Sequence, residues 1–448
     1  MATRPLRLTS RPKRAIVPAI ALGMAAPFLI LFASHWSSPA IESRAVPPAA
    51  PLTDFRDSDL AIHFLENKLR SDPEDAGAFS KLAGYHLQRL RETGNVQYLS
   101  LALGAARSSL AITPAERNIA GLTALVQGEY AGHEFLRARD DAQRLVGLDP
   151  DKSSPYGILA DASLELGEYE QANEAFRQMA ARGGGASSET RLARLASLQG
   201  DTDLAQKRLF TGLALALNAP IPSAETVAWC RWQMGDTAFS VGDYDTAEQR
   251  YREALTTLPG YMNALASLGR VQAARGDLRG AIAEYEQAVL RLPDPTFVGA
   301  LGDLYALSDR ATEAAAQYAL VEQIGHLNAL NGALYSRQLA LFYADHDLKP
   351  DEAYANATGE YAVRRDIYGA DAVAWTALKA GKIPEAQQAI HEALRLGTRD
   401  ARLYYHAGMI FLAAGDPATG RTYLQEALTL NPLFDPLQAS IARKALGS

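Results

Sequence analysis

The chain has 448 residues, with 44 lysines and arginines against 51 aspartates and glutamates, a formal charge of −7. Its single cysteine, Cys230, excludes an intrachain disulfide, a CxxC metal site and a lipid-carrying N-terminal cysteine. The acidic balance argues against general binding of nucleic acid or anionic lipid. It sharpens once residues 1–40 are set aside, because 39 basic residues then face 51 acidic ones, formally −12.

The N-terminus differs from the rest. Arg4, Arg7, Arg11, Lys13 and Arg14 make residues 1–14 a basic flank, expected to stay cytoplasmic. Residues 15–33 carry no charge and are mostly apolar. That length exceeds a usual signal h-region of about 7–15 residues and falls just short of the roughly 20 that span a bilayer. Pro18 and Pro27 weaken the helix, and Ser38-Pro39-Ala40 offers small residues to a signal peptidase. The segment is therefore read as a signal-anchor transmembrane helix or as a cleaved signal. Either places the remainder in a bacterial envelope, tethered to the inner membrane or released to the periplasm. Pro39, Pro47, Pro48 and Pro51 make residues 34–57 a semi-rigid linker.

From about residue 76 onward a unit of about 34 residues recurs. One copy reads Asn263-Ala264-Leu265-Ala266-Ser267-Leu268-Gly269, then Gly276-Asp277, Ala281, Tyr285, Ala288 and Pro293. Others read Gly235, Gly242-Asp243, Ala247, Tyr251, Ala254, Pro259 and Gly408, Gly415-Asp416, Gly420, Leu424, Ala427, Pro432. The apolar residues fall at helical spacing on either side of a Gly-Asp turn, which predicts a helical hairpin. Ten second-helix small residues mark the copies: Ala102, Ala138, Ala172, Ala205, Ala247, Ala281, Ala314, Ala353, Ala386 and Gly420. From Ala205 onward the steps are 42 (205 to 247), 34, 33, 39 (314 to 353), 33 and 34 residues.

The grid resembles the tetratricopeptide repeat (TPR) family over most of residues 76–432. The resemblance implies an all-α, right-handed superhelical solenoid of about ten helix-turn-helix repeats. Residues 58–213 would form an N-terminal array, 214–226 a hinge around Asn218-Ala219-Pro220-Ile221-Pro222, and 227–435 a C-terminal array. Residues 436–448 would form a capping helix with Leu437, Ile441 and Leu446 turned inward. Three irregularities are expected: an insertion at Arg91–Gln97, a loose loop at Gly183–Ser187 and a broken segment at Glu322–Leu334.

No catalytic constellation is present. His133-Glu134 and His391-Glu392 lack the second histidine of HExxH, and neither GxxxxGK[ST] nor GxSxG occurs. No cofactor or metal is expected; the one alternative is a small metal site from His326, Asp345 and His346. The carboxylates read as solvated helix faces, and Tyr244, Tyr251, Tyr285, Tyr305 and Tyr318 as packing positions. TPR arrays bind peptides along a concave face lined by the first helix of each repeat. Placed on the family pattern, that face would carry Trp232, Asp236, Arg270, Asp303, Arg337, Trp375, Tyr405 and Met409. Aromatic, arginine and methionine side chains are enriched at the centres of interfaces. The resemblance thus implies a non-catalytic scaffold for a protein or peptide partner, with self-association as the rival reading.

Overall fold

The computed structural model describes residues 56–330 and 336–447, and every regular element among them is helical. The expectations for residues 1–14, 15–33 and almost all of 34–57 fall outside those residues; among the described ones no helix is long and apolar enough to cross a membrane. α1 (Arg56–Ser71) precedes ten hairpins. The first five are α2 (Ala76–Thr93) with α3 (Gln97–Ile112), α4 (Ile119–Ala131) with α5 (Phe135–Leu148), α6 (Ser153–Glu165) with α7 (Tyr169–Ala181), α8 (Gly185–Leu198) with α9 (Thr202–Leu217), and α10 (Ala224–Ser240) with α11 (Tyr244–Thr257). The second five are α12 (Met262–Ala274) with α13 (Leu278–Arg291), α14 (Pro295–Leu307) with α15 (Ala311–Leu330), α16 (Ser336–Asp345) with α17 (Pro350–Tyr361), α18 (Ile367–Lys379) with α19 (Ile383–Ala393), and α20 (Ala401–Ala413) with α21 (Pro417–Leu430). α22 (Gln438–Leu446) ends the array. The first helix of each hairpin is called A and the second B.

The turn chemistry explains the hairpins. Every one of the ten A–B turns holds a residue at positive φ, seven times glycine and three times His133, Asp309 or Asp347. Asp201, Asp243, Asp277 and Asp416 then cap helix B, each accepting from the backbone N–H three residues on. All ten second-helix small residues are buried on B helices. In four hairpins the counterpart on helix A is a glycine, Gly235, Gly269, Gly302 or Gly408, against a bulky B side chain. A Cβ on Gly235 would come within 2.5 Å of the Tyr251 ring, and one on Gly302 within 2.5 Å of Tyr318. Close helix–helix approach is therefore bought by the missing side chain.

The structure departs from the sequence reading at the irregular segments. Gly183–Ser187 is no loose loop: α8 already begins at Gly185, so only three residues separate it from α7. Glu322–Leu330 continues α15, so part of the long step is extra B helix. The Arg91–Gln97 region is the end of an 18-residue α2, which runs to Thr93, and a three-residue turn into α3. In α22 the buried residues are Gln438, Ala439 and Ala442, whereas Ile441 is 44% exposed. The helix packs through its small residues, which let it lie closer to α21 than an isoleucine would.

The solenoid also returns upon itself. Gly94, in the turn of the first hairpin, lies against Leu292 in the junction after the sixth. Arg364, after the eighth, pairs with Glu165 at the turn of the third, and the Ile367 N–H donates to the Tyr169 hydroxyl at 2.8 Å. The Thr398 hydroxyl, after the ninth, donates to the Leu198 carbonyl in the fourth. The Asn431 amide, after the tenth, donates to the Phe239 carbonyl in the fifth at 2.7 Å, and the Leu433 N–H to the Tyr244 hydroxyl at 3.1 Å. In the first, third, fourth and fifth hairpins the turn thus meets the junction five hairpins further on, so a superhelical turn closes between five and six hairpins. One apolar core runs across this seam, holding Leu122, Leu145, Leu159 and Phe176 together with Ile367, Ile390, Leu403 and Phe411.

Candidate functional site

Several A helices of consecutive hairpins pack against each other, as α2 on α4, α10 on α12, α16 on α18 and α18 on α20, more closely than any two consecutive B helices do. The A helices therefore occupy the inner, more tightly curved side. The residue eleven places before each second-helix small residue marks one line along this side. From the third hairpin it reads Asp161, Arg194, Asp236, Arg270, Asp303, Phe342, Trp375 and Met409. Five consecutive hairpins thus alternate acid and base.

Each charge in this line already has a partner. Arg191 grips Asp161 through Nη2 at 2.7 Å and Nε at 2.9 Å. Arg194 donates to Glu165 at 2.7 Å. Asp236 accepts from Arg270 Nη2 at 2.6 Å and from the Tyr251 hydroxyl at 2.7 Å. The Arg270 guanidinium also lies 4.1 Å over the Phe239 ring. Next to it, Trp232 Nε1 donates to the Ser267 hydroxyl at 2.9 Å, and Trp232 meets Trp229 and Tyr261 edge to face. Arg194, Arg270 and Arg402 lie deep among surrounding protein yet keep a third to a half of their side-chain surface open to solvent. Such residues line a recess inside the superhelix.

At Asp303 the ladder takes a histidine. Asp303 accepts from the Tyr318 hydroxyl at 2.8 Å and faces His346 Nε2 at 2.7 Å, while His346 Nδ1 faces the Phe342 carbonyl at 2.7 Å. Two acceptors on one ring suit an imidazolium, which donates from both nitrogens. Burial opposes the charge, but the hydrogen bond to Asp303 and its carboxylate outweigh it, and His346 is held above the ordinary histidine range.

The eight residues expected on the groove are not equivalent. Trp232, Asp236, Arg270 and Asp303 lie together on the partly exposed stretch, and Met409 is partly exposed farther along. Trp375 and Tyr405 are both only 2% exposed. Trp375 donates to Asp345 at 2.8 Å and stacks on His406 at 4.2 Å, and Tyr405 packs on Phe434. Both are walls rather than contact surface. Arg337 is buried too, tied to Glu360 and Asp366. The 39-residue step explains it: five extra residues shift the register, and Phe342 takes the expected place. Asp161 and Arg194 were not expected on the face; counting eleven back from Ala172 and Ala205 would have found them.

The metal alternative does not assemble. His346 is occupied by Asp303, Asp345 by Trp375 and Gln438, and His326 is exposed on α15. Among the described residues no group of three or more histidine, cysteine or acidic side chains could hold a metal ion.

Comparison with known proteins adds the repeat identity. Tetratricopeptide repeat family models match residues 238–304 and residues 372–433. The chain is 34% identical over 164 residues to cellulose synthase operon protein C of Xanthomonas axonopodis pv. citri (strain 306), covering 35% of this chain and 11% of that one. It is 24% identical over 245 residues to the TPR repeat-containing protein YpiA of Bacillus subtilis (strain 168), covering 54% and 47%. It therefore spans about a tenth and about half of these relatives' lengths. Among solved structures, the type IV pilus biogenesis factor PilW is 17% identical with a TM-score of 0.39, covering 46% of this chain and 93% of that one. The APC/C hetero-tetramer Cut9-Hcn1 is 13% identical with a TM-score of 0.32, covering 87% and 93%. Tetratricopeptide repeats are thus present in an all-α superhelical solenoid, an architecture consistent with a scaffold for protein–protein interaction.

Proposed function

We propose that the chain is a non-catalytic scaffold that binds a protein or peptide partner along its inner face, held outside the bacterial cytoplasm by its N-terminal segment. The observation that carries the binding reading is the partly open ladder Asp161, Arg194, Asp236, Arg270 and Asp303, which repeats once per hairpin. Charges held by neighbours are already oriented, so little ordering entropy is lost when a partner's groups join them. Trp232 and Met409 supply apolar contact, and the buried Trp375, Tyr405 and Arg337 hold the walls. The tether rests on the basic flank and the apolar stretch 15–33.

The test is site-specific photocrosslinking in cells. A photoreactive residue in place of Arg270 or Met409 should give a discrete adduct with another protein. One in place of Gln249, exposed on the outer helix α11, should not. Adducts at Gln249 alone, or none at the inner positions, would remove the inner face from the proposal. Deleting residues 1–33 should move the protein from the membrane fraction, and its retention there would remove the tether.

A further inference from the structure

We propose that the edge-to-edge seam is a latch: it holds the superhelix closed at one pitch, couples distant hairpins into one folding unit, and controls access to the inner face. The first two properties stand on the seam alone. The third rests on the inner face being the docking surface.

The two edges of the array are built differently. In the first five hairpins the turn glycines face another stretch of chain. A Cβ would lie 2.0 Å from Leu292 at Gly94, 2.3 Å from the Arg365 carbonyl at Gly167, and 2.4 Å from the Gly397 carbonyl at Gly200. In the last five, Gly276, Gly381 and Gly415 have nothing within 4 Å. Glycine is therefore required twice at Gly167 and Gly200, for positive φ and for backbone contact. The first residue of helix B follows the same division. Phe135, Tyr169 and Tyr244 open three of the first five B helices, whereas the last five open with Leu278, Ala311, Pro350, Ile383 and Pro417. These aromatics are used across the seam. Arg364 lies 5.2 Å over Phe135, Arg395 5.2 Å over Tyr169, and the Tyr244 hydroxyl bonds Asn431.

A solenoid whose repeats touch only their neighbours unfolds piecewise. Here residues 199 and 200 positions apart share hydrogen bonds and a core. Opening the first turn from the second exposes that core at once, so the hairpins on both sides are coupled. A closed seam also denies a partner entry between successive turns.

The test begins with Glu170→Cys and Arg365→Cys in the full chain, two exposed sites flanking the seam. Cys230 stays in place, because it is fully buried and burial pushes its thiol up to about 11. A short bis-maleimide should link the pair within one molecule. Tyr169→Phe with Arg364→Gln and Asn431→Ala removes seam ties while leaving every helix intact. Linking should then slow about tenfold, as the loss of several such hydrogen bonds implies. The radius of gyration should rise at unchanged helicity, and one unfolding transition should become two. No linking in the parent pair would overturn the latch, even if the triple variant failed to fold. An unchanged radius and a single transition in a folded triple variant would overturn it as well. The yield of photoadduct at position 270 reads the third property. A rise with seam opening supports access control, and an unchanged yield with an open seam overturns it while leaving the latch.

Discussion

Glu129 and Glu165 stand near the ends of the A helices of neighbouring hairpins, and both are buried, at 4% exposure each. Their carboxyls behave in opposite ways. Burial, with Asp141 and Glu134 adding repulsion, pushes Glu129 up to about 7, and its Oε2 has no hydrogen-bond partner. Burial also acts against ionised Glu165, but Arg194 and Arg364 outweigh it and hold that carboxyl at about 2. Arg194 comes from the next hairpin; Arg364 comes from the next superhelical turn, 199 residues away. A buried charge in this array is therefore costly or stabilising according to whether distant chain reaches it, and the repeat itself does not decide.

The largest expected effect comes from breaking the favourable case. Glu165→Gln leaves Arg194 and Arg364 without their shared carboxylate, and should cost about 3 kcal/mol at pH 7. The folded pKa is depressed, so this stabilisation is complete above about 4.5 and is lost as pH falls towards 2. Denaturant midpoints should show the parent and the variant converging over that window. A constant gap down to pH 2 would mean that the carboxylate charge is not what Glu165 contributes.

The same chemical change in the unfavourable case should have the opposite sign. Glu129 has a folded pKa above its unfolded value, so the folded state loses stability as pH rises from about 4.5 through 7. Glu129→Gln should stabilise by about 2 kcal/mol at pH 8 and change nothing at pH 4. Equal effects at both pH values would show that shape, not ionisation, sets the cost.

These differences also mark how far the sequence could be read. The ten hairpins were legible because each repeats the same constraint: a small residue where helices touch, and a turn that accepts positive φ. Asp309 and His133 fill the turn position without glycine, yet the neighbouring apolar spacing still places their hairpins. The Arg364–Glu165 pair had no such signal, because the two residues belong to different copies and to no shared period. Arg337 was misplaced because five extra residues before α16 shift the register, and a period cannot say where an insertion falls. Trp375 was read as surface because an aromatic on helix A serves a groove or a wall equally well; Asp345, 30 residues earlier, decides in favour of the wall. Ile441 was turned inward by its helical spacing, but three small or polar residues take that face instead.

His346 sharpens the comparison within the inner face. It meets Asp303 of α14 and the Tyr318 ring of α15, with Asp345 the preceding residue at the end of α16, and Asp303 is its direct charge partner. Its folded pKa is raised, so the contribution is complete below the unfolded value near 6.5 and is lost as pH rises through the folded one. His346→Gln should cost about 1 kcal/mol at pH 6 and progressively less towards pH 9. Unfolding curves for the pair across that range check it, and a difference independent of pH would show that His346 is neutral in the fold.

The smallest effect separates local backbone strain from partner chemistry altogether. Asp309 sits at φ 58 in the α14–α15 turn and is exposed, so neither burial nor a distant arginine bears on it. An L-residue there crowds its Cβ against the following carbonyl, a strain glycine lacks. Glycine in turn loses more freedom on folding, which offsets part of the gain. Asp309→Gly should therefore stabilise by about 0.5 kcal/mol. Denaturant midpoints of the parent and the variant check it. A loss of stability would mean that the Asp309 side chain contributes more to the turn than its backbone strain costs, and the division between local geometry and distant partners would no longer hold at that position.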